Sequence, residues 1–598
     1  MVSGQDAASN TGGARGTGGG LGDAGGLGGG GGGGGGPTGS VDAWDAASAD
    51  GTGGGGGASG SVEPIPGCSS DGWCWLRPRP TGNIIYNLHG SAGDDVWAGG
   101  SAGTALHWDG HAWTSHAVDG ELNDLTSVFA IGPDDVWATS DDGFFHWNGV
   151  SWTLALRLGA SAISGTAPDD VWAITPGGAL MLLSQTGWGP VGTAGASCSG
   201  LWVASSTDIW IGCETLYHYD GTSFIDTGKV PGAYQISGSG AKDVWAATPT
   251  GVWHWDGSTW TNVGFATGIA SLSVRARGDV WVLDGSDALY HREGTSWHRT
   301  WLGQPSTTRT VWAFGNDVWI GGAGGLLLRG DGTTLSPTTD SPVTPKVWAR
   351  SVYGIAPSRV WIGTDDGVEV WDGTTLTPMP GTAGRSFTSI WASAVDDVWM
   401  IDNDAVLSRW NGTSFQQMLN EAGFLSGTSA NDVWAGFKHW DGQTWTTTGT
   451  SDAGYTVTAL WASGPSDAWV VGSSGYVKHW DGTTWTRMTG LGSILLTSVW
   501  GTGPNDVWIG GQNEQILRWD GQKLSPTHNS PGGAQIRGFA GGPDNVWILG
   551  GKTGAMHWDG VTLSPSWIGT YASLSGIWAG APIGVFAAGT GGILRHAP

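Results

Sequence analysis

The sequence predicts an all-β chain, a β-propeller of about fourteen four-stranded blades. Three observations predict it. A unit centred on D-V-W recurs from residue 84 onward at spacings of 35 to 42 residues, a period that four short strands fill. Within each unit, short apolar segments alternate with turns rich in Gly and Asp, the pattern of strands joined by tight turns. The 598 residues include 110 Gly and 42 Trp, with only 13% charged residues, a composition that calls for many turns and many large apolar side chains.

Residues 1–66 hold tracts such as GGLGGGGGGGGGG and GTGGGGGASG. Such a segment has almost nothing to bury, so ordering it would cost backbone entropy without return, and it is expected to be a disordered tether. It resembles the Gly-rich spacer that follows the lipidated cysteine of many bacterial surface lipoproteins. No such cysteine, basic n-region or apolar h-region stands at the start of this sequence, so lipid anchoring would need an upstream signal.

Four cysteines form two local pairs, Cys68 with Cys74 and Cys198 with Cys213. The second pair flanks one turn at mirrored positions in SCSGLWVASSTDIWIGC, where two antiparallel strands could bring the sulfurs together. Two pairs and no leftover thiol suit an oxidising compartment. The alternative is four unpaired buried thiols.

Clear copies of the repeat read DDVWAGGSAGTALHWDGHAW, KDVWAATPTGVWHWDGSTW, NDVWAGFKHWDGQTW and SDAWVVGSSGYVKHWDGTTW. The D-V-W tryptophan falls at Trp97, Trp137, Trp172, Trp210, Trp245, Trp281, Trp319, Trp361, Trp399, Trp434, Trp469, Trp508 and Trp547, and Phe586 takes the fourteenth place. The first strand is a segment such as LTSVFAI, the second DVWAT, the third FFHWN, and the fourth follows D-G. The D-G dipeptide is a strong short hairpin signal, since Gly accepts positive φ and Asp tolerates it. Both faces of a blade pack on its neighbours, so about three tryptophans per repeat are expected to be structural.

The final repeat stops at GGILRHAP without a fourth strand, while Asp71-Gly72-Trp73-Cys74-Trp75 reads as a D-G-x-x-W element without a preceding third strand. Residues 71–76 are therefore expected to complete the last blade, which protects an otherwise open edge. Propellers commonly have four to eight blades, which favours two seven-bladed rings, residues 67–340 and 341–598. The Pro/Ser/Thr stretch SPTTDSPVTPKVWA lies at the midpoint of the repeats. One large ring closed by the terminal strands is the alternative.

The segments VWIGTDDGVEVWDG and DVWIGGAGGLLLRGDG resemble the propeller repeats of bacterial two-component-regulator sensors. The D-V-W-A-x-G…H-W-D-G-x-x-W consensus is similar to the repeats of myxobacterial-type surface propellers, over residues 71–598. The resemblance implies paired seven-bladed rings and a bacterial surface or secreted setting. The D-G-x-x-W element resembles the Asp-box hairpin of sialidase-type propellers, with one residue fewer between Asp and Trp.

A net charge of −26 repels a phosphate backbone and excludes nucleic acid as the expected partner. No run of about twenty apolar residues forms a transmembrane helix. A histidine precedes the third-strand aromatic at His107, His146, His218, His254, His439, His479 and His557, with Arg409 in the same place. Each belongs to a different blade, so convergence on a metal is not expected. The acidic pairs Asp134–Asp135, Asp169–Asp170 and Asp396–Asp397 are at most candidates for Ca, and no other cofactor is expected. No nucleophile, zinc-protease or phosphate-loop motif occurs, so no catalytic residue is assigned and no enzyme is expected. The fourth-strand tryptophans Trp113, Trp152, Trp260, Trp297, Trp445 and Trp485 are the candidates to stack on a sugar, where repetition gives avidity. The expectation is a monomeric surface or secreted scaffold binding glycan or protein. A structural envelope protein or a polysaccharide-active enzyme are the alternatives.

Overall fold

The structure is a computed structural model that describes residues 68–596 except 70, 78–80, 117, 119–122, 265–267, 287, 303–307, 339–347, 357, 531–532, 552, 571–572, 581–583 and 590–591. The expected tether, residues 1–66, lies outside the described residues, as does most of the midpoint Pro/Ser/Thr stretch.

Among the described residues, fourteen sheets of four antiparallel strands make up the fold. In the first, β2 (Ile85–Ala92), β3 (Asp95–Gly100), β4 (Ala105–Trp108) and β5 (Trp113–Ser115) follow one another by hairpins. All six residues of β3 are buried, because the strand is covered on both faces by neighbouring sheets. This explains why D-V-W-A-G-G reads as a continuous apolar run and not as an alternation. The ladder between β2 and β3 shifts register near each end of β2, and such bulges increase local twist.

The third-to-fourth connection differs from a two-residue hairpin. Trp108 pairs with Trp113, leaving a four-residue loop in which Gly110 has φ +92°. Asp109 works by its side chain instead: Oδ1 accepts the backbone N–H of His111 and of Ala112, both at 2.8 Å. This is an Asx-type turn, and Asp220, Asp256, Asp372, Asp441 and Asp481 repeat it.

The core consists of clusters between adjacent sheets. Ile85, Leu88, Val96, Leu106, Trp108 and Trp113 of the first sheet pack with Trp319 and Leu327 of the seventh. Ala349, Val360, Ile362 and Trp371 of the eighth pack with Phe586, Ala588 and Ile593 of the fourteenth. The inner strands give the same adjacency: Thr308–Phe314 lies beside β2, and Leu574–Gly580 lies beside Ala349–Ala356.

The fourth strand of the fourteenth sheet is β1 (Trp73–Arg77), antiparallel to Gly592–His596. The equivalence sits two residues from where the D-G-x-x-W motif puts it. Trp73, not Trp75, pairs with the third-strand position, here His596. Trp73 also sets its ring edge-on to Trp547 of the thirteenth sheet, 5.5 Å between centroids. Asp71 accepts the backbone N–H of Trp567 at 2.5 Å.

Candidate functional site

The recurrent polar residues form a clamp within each sheet. The Asp opening D-V-W lies across the ladder from the third-strand His, and the two side chains bond: Asp95 with His107 at 2.7 Å, Asp135 with His146 at 2.8 Å, Asp208 with His218 at 2.8 Å. Asp243 holds His254 at 2.8 Å, Asp432 His439 at 2.7 Å and Asp467 His479 at 2.6 Å, while Asn545 holds His557 at 2.7 Å. Arg409 bonds Asp397 at 2.6 Å. The sequence pattern also covers residues not singled out above: His291 on Asp279, Arg329 on Asp317 and Arg518 on Asp506.

The imidazole or guanidinium then lies over the D-V-W indole. Trp97 and His107 stack with centroids 4.6 Å apart, Trp281 and His291 at 3.9 Å, and Arg409 sits 4.9 Å over Trp399. Burial works against the charge on Asp95, but hydrogen bonds from His107 and Ser91 outweigh it and hold the carboxyl below its usual range. Asp243 is held down in the same way by His254, Ser239 and Trp245. The histidines are thus framework, each satisfied inside its own sheet.

The acidic pairs are occupied similarly. Asp170 accepts Trp172 Nε1 at 2.6 Å, and Asp397 accepts Trp399 Nε1 and Arg409. No group of three or more His, Cys, Asp or Glu side chains that could hold a metal occurs among the described residues. In the exposed D-G turns, hydrogen bonds from Ser258 and Thr259 lower Asp256 to about 2.

The six fourth-strand tryptophans lie in the seams between sheets. Trp113 sets its edge on Trp319, Trp152 on Trp97, Trp260 on Trp210, Trp445 on Trp399 and Trp485 on Trp434, with centroids 5.1 to 6.0 Å apart. Trp297 packs against the cluster around Trp245. Trp113 and Trp260 are 8% and 6% exposed, so neither has a free face for a sugar, which corrects their place among the stacking candidates. Trp301 and Trp348 are instead the exposed tryptophans among the described residues, at 58% and 51%.

Two disulfides, Cys68–Cys74 and Cys198–Cys213, close local loops, each with Cα atoms 3.8 Å apart. The inner strands of the first seven sheets line a cavity of about 650 Å³, running from Tyr86 to Phe314. Its lining contains Arg275, Arg309 and His89 and no acidic residue.

No family model matches the sequence, and no curated protein matches it. The likenesses are structural. PorZ, an essential bacterial surface component of the type-IX secretion system of Porphyromonas gingivalis, aligns over 86% of each chain with a TM-score of 0.58 at 11% identity. The GH74 enzyme of Niastella koreensis aligns over 86% of this chain and 98% of its own, TM-score 0.57, 13% identity. The GH74 xyloglucanase from Xanthomonas campestris aligns over 88% and 99%, TM-score 0.57, 13% identity. At these identities the likeness is one of fold.

The expectation that the chain is no enzyme is overturned by these likenesses, because GH74 enzymes carry their chemistry on this architecture. Linear motifs do not mark this chemistry. Glycoside hydrolysis uses two carboxylates set at a fixed separation in space, and residues distant in the chain can supply them.

Proposed function

We propose that this chain is an extracellular or cell-surface scaffold that binds glycan through its propeller faces, with residues 67–340 and 341–598 as two seven-bladed rings. The observation that carries the binding role is the contrast among tryptophans. The other described indoles are buried or partly buried, yet Trp301 and Trp348 stand exposed, with Arg299 5.2 Å and Arg350 5.9 Å over their rings. An exposed indole beside a cation suits a sugar ring that carries polar or anionic groups. The ring division is supported by the packing of the seventh sheet on the first and of the fourteenth on the eighth. The two disulfides favour an oxidising location, and PorZ, of the same fold, is a bacterial surface component.

A second reading, polysaccharide hydrolysis, is favoured by the fold shared with GH74 enzymes. One experiment tests both: incubate the purified full chain with insoluble and soluble polysaccharides, xyloglucan among them, and measure retention together with new reducing ends. Retention without reducing ends supports the scaffold. Release of reducing ends supports the hydrolase, and neither retention nor release overturns both.

A further inference from the structure

The sixth sheet departs from the charge of the rest of the chain. Residues 269–301, which hold it, contain Arg275, Arg277, Arg292 and Arg299 against four acidic residues, so this stretch is neutral in a protein of net charge −26. Its outer strand, Ser296–Trp301, pairs over its whole length with Ala288–Glu293, so that Arg292 stands opposite Trp297, Tyr290 opposite Arg299 and Ala288 opposite Trp301. Cross-strand partners and alternate residues share a face. One face therefore carries Arg292, Trp297, Tyr290, Arg299 and Trp301 in a row. The outer strand of the preceding sheet is only three residues long, Trp260–Asn262.

Within the row, the guanidinium of Arg299 lies 5.2 Å from the Trp301 ring and 5.8 Å from the Tyr290 ring. Tyr290 is steadied by Asp284, which bonds its hydroxyl and helps burial raise its pKa. Asp284 in turn accepts the backbone N–H of Ser286 at 3.0 Å and of Ala288 at 2.8 Å. Among the described residues no carboxylate forms an ion pair with Arg299, and the side chain is exposed. A stacked guanidinium keeps its in-plane N–H donors for a carboxylate or sulfate. Deeper in the row, Arg292 lies 4.8 Å over Trp245, and its buried Nε has no hydrogen-bond partner.

We infer that the outer half of the sixth sheet is a binding platform for an acidic saccharide unit, with Trp301 under the sugar ring and Arg299 on its carboxylate or sulfate. This rests on the glycan reading above and names the ligand class and the place. With Arg299 over one face of the Trp301 indole, the opposite face is the one offered to the C–H groups of a pyranose, and the guanidinium at the rim of the ring selects sugars bearing an anion.

The test uses the full chain in affinity electrophoresis at physiological salt, with polygalacturonate, dextran sulfate and neutral dextran as probes. Arg299→Gln, Trp301→Ala and Trp348→Ala are compared, after checking that each melts as the parent does. The wild type is expected to be retarded by polygalacturonate, dextran sulfate or both, and not by neutral dextran; which of the two acts separates carboxylate from sulfate recognition. Arg299→Gln and Trp301→Ala should each weaken retardation about tenfold or more, the loss of one charge-assisted or stacking contact. Equal retardation of these two variants and the wild type overturns the platform. So does loss confined to Trp348→Ala or binding of neutral dextran alone, and either leaves the glycan reading standing. Indifference of the wild type to every polymer removes both.

Discussion

The indole of Trp312 occupies the space that a side chain on Gly90 would need: a Cβ there would meet its Cη2 at 2.9 Å. Trp312 lies on the inner strand of the seventh sheet and Gly90 on that of the first. The same relation joins Trp578 of the fourteenth sheet to Gly354 of the eighth, at 2.7 Å, and Phe129, Trp202, Trp391 and Trp461 to Gly165, Gly238, Gly427 and Gly501 of the sheets that follow them. An inner-strand aromatic in one sheet thus goes with a glycine in the next.

Gly90→Ala and Gly354→Ala should each destabilise the fold by about 1 to 3 kcal/mol, the usual range for overpacking a tight contact. At Gly90 the new Cβ also meets the Asp95 carbonyl oxygen at 2.3 Å, so backbone must move. Thermal unfolding followed by tryptophan fluorescence checks this, and an unchanged midpoint would contradict the packing relation.

Asp467 collects three donors: Ser463 Oγ at 2.5 Å, Trp469 Nε1 at 3.3 Å and His479 Nε2 at 2.6 Å. Asp467→Ala strands a buried indole N–H, and a loss of about 2 to 3 kcal/mol follows from the cost of unsatisfied buried groups. Asp467→Asn keeps an acceptor and should lose less. Urea denaturation of the two variants ranks them; the reverse order would show that the clamp does not hold the sheet.

Trp73 is 1% exposed and packs with Leu549, Ile568 and Leu594 in the cluster that joins β1 to the thirteenth and fourteenth sheets. Trp73→Ala is expected to cost about 3 to 5 kcal/mol, as for other large core truncations. If the proposed rings, residues 67–340 and 341–598, unfold separately, calorimetry will show one transition lowered and the other in place. An unaffected thermogram would mean that β1 contributes little to closing its sheet.

His89 supplies a pH dependence. Its Nδ1 accepts the backbone N–H of Ala130 at 3.1 Å, which requires an unprotonated nitrogen, and burial pushes its pKa down to about 4 against the opposing pull of Asp95. The unfolded chain takes up the proton near pH 6.5. Stability from this residue is therefore complete above about pH 6.5 and declines as pH falls toward 4. His89→Ser should flatten that decline, because Ser237, Ser273 and Ser426 accept the neighbouring inner-strand N–H at their positions without titrating. Denaturant midpoints measured from pH 7.5 to 4 decide it, and identical slopes in variant and parent would exclude His89 as the cause.

Strand boundaries and repeat number could be read from the chain because D-V-W and D-G-x-x-W are local. One opens a strand buried on both faces, and the other folds on its own backbone through Asp109 and its equivalents. The cysteine pairs were legible for the same reason, since mirrored positions about one turn face each other. Residues whose role depends on another sheet were harder. The register of Trp73 departs from the D-G-x-x-W pattern because no hairpin links β1 to its partner strand. The closure between sheets was present in the sequence as aromatic and glycine pairs such as Trp312 and Gly90, yet each residue looks ordinary alone. Trp301 lies beyond the D-G-x-x-W element and so fell outside the repeated pattern, whereas the repeated tryptophans are seam residues by virtue of repeating.

The pairing of β1 with Gly592–His596 has a consequence for the order of assembly. Ser69, beside β1, bonds a carbonyl 498 residues away. Domains tend to fold from the N-terminus as synthesis proceeds, but this strand has no partner until the far end of the chain has been made. It must wait unpaired while thirteen sheets form, and its docking is the step that turns an open stack of hairpins into a finished molecule. A chain cut short near residue 592 would therefore carry two faults at once, a missing third strand at one end and an orphaned, tryptophan-rich strand at the other.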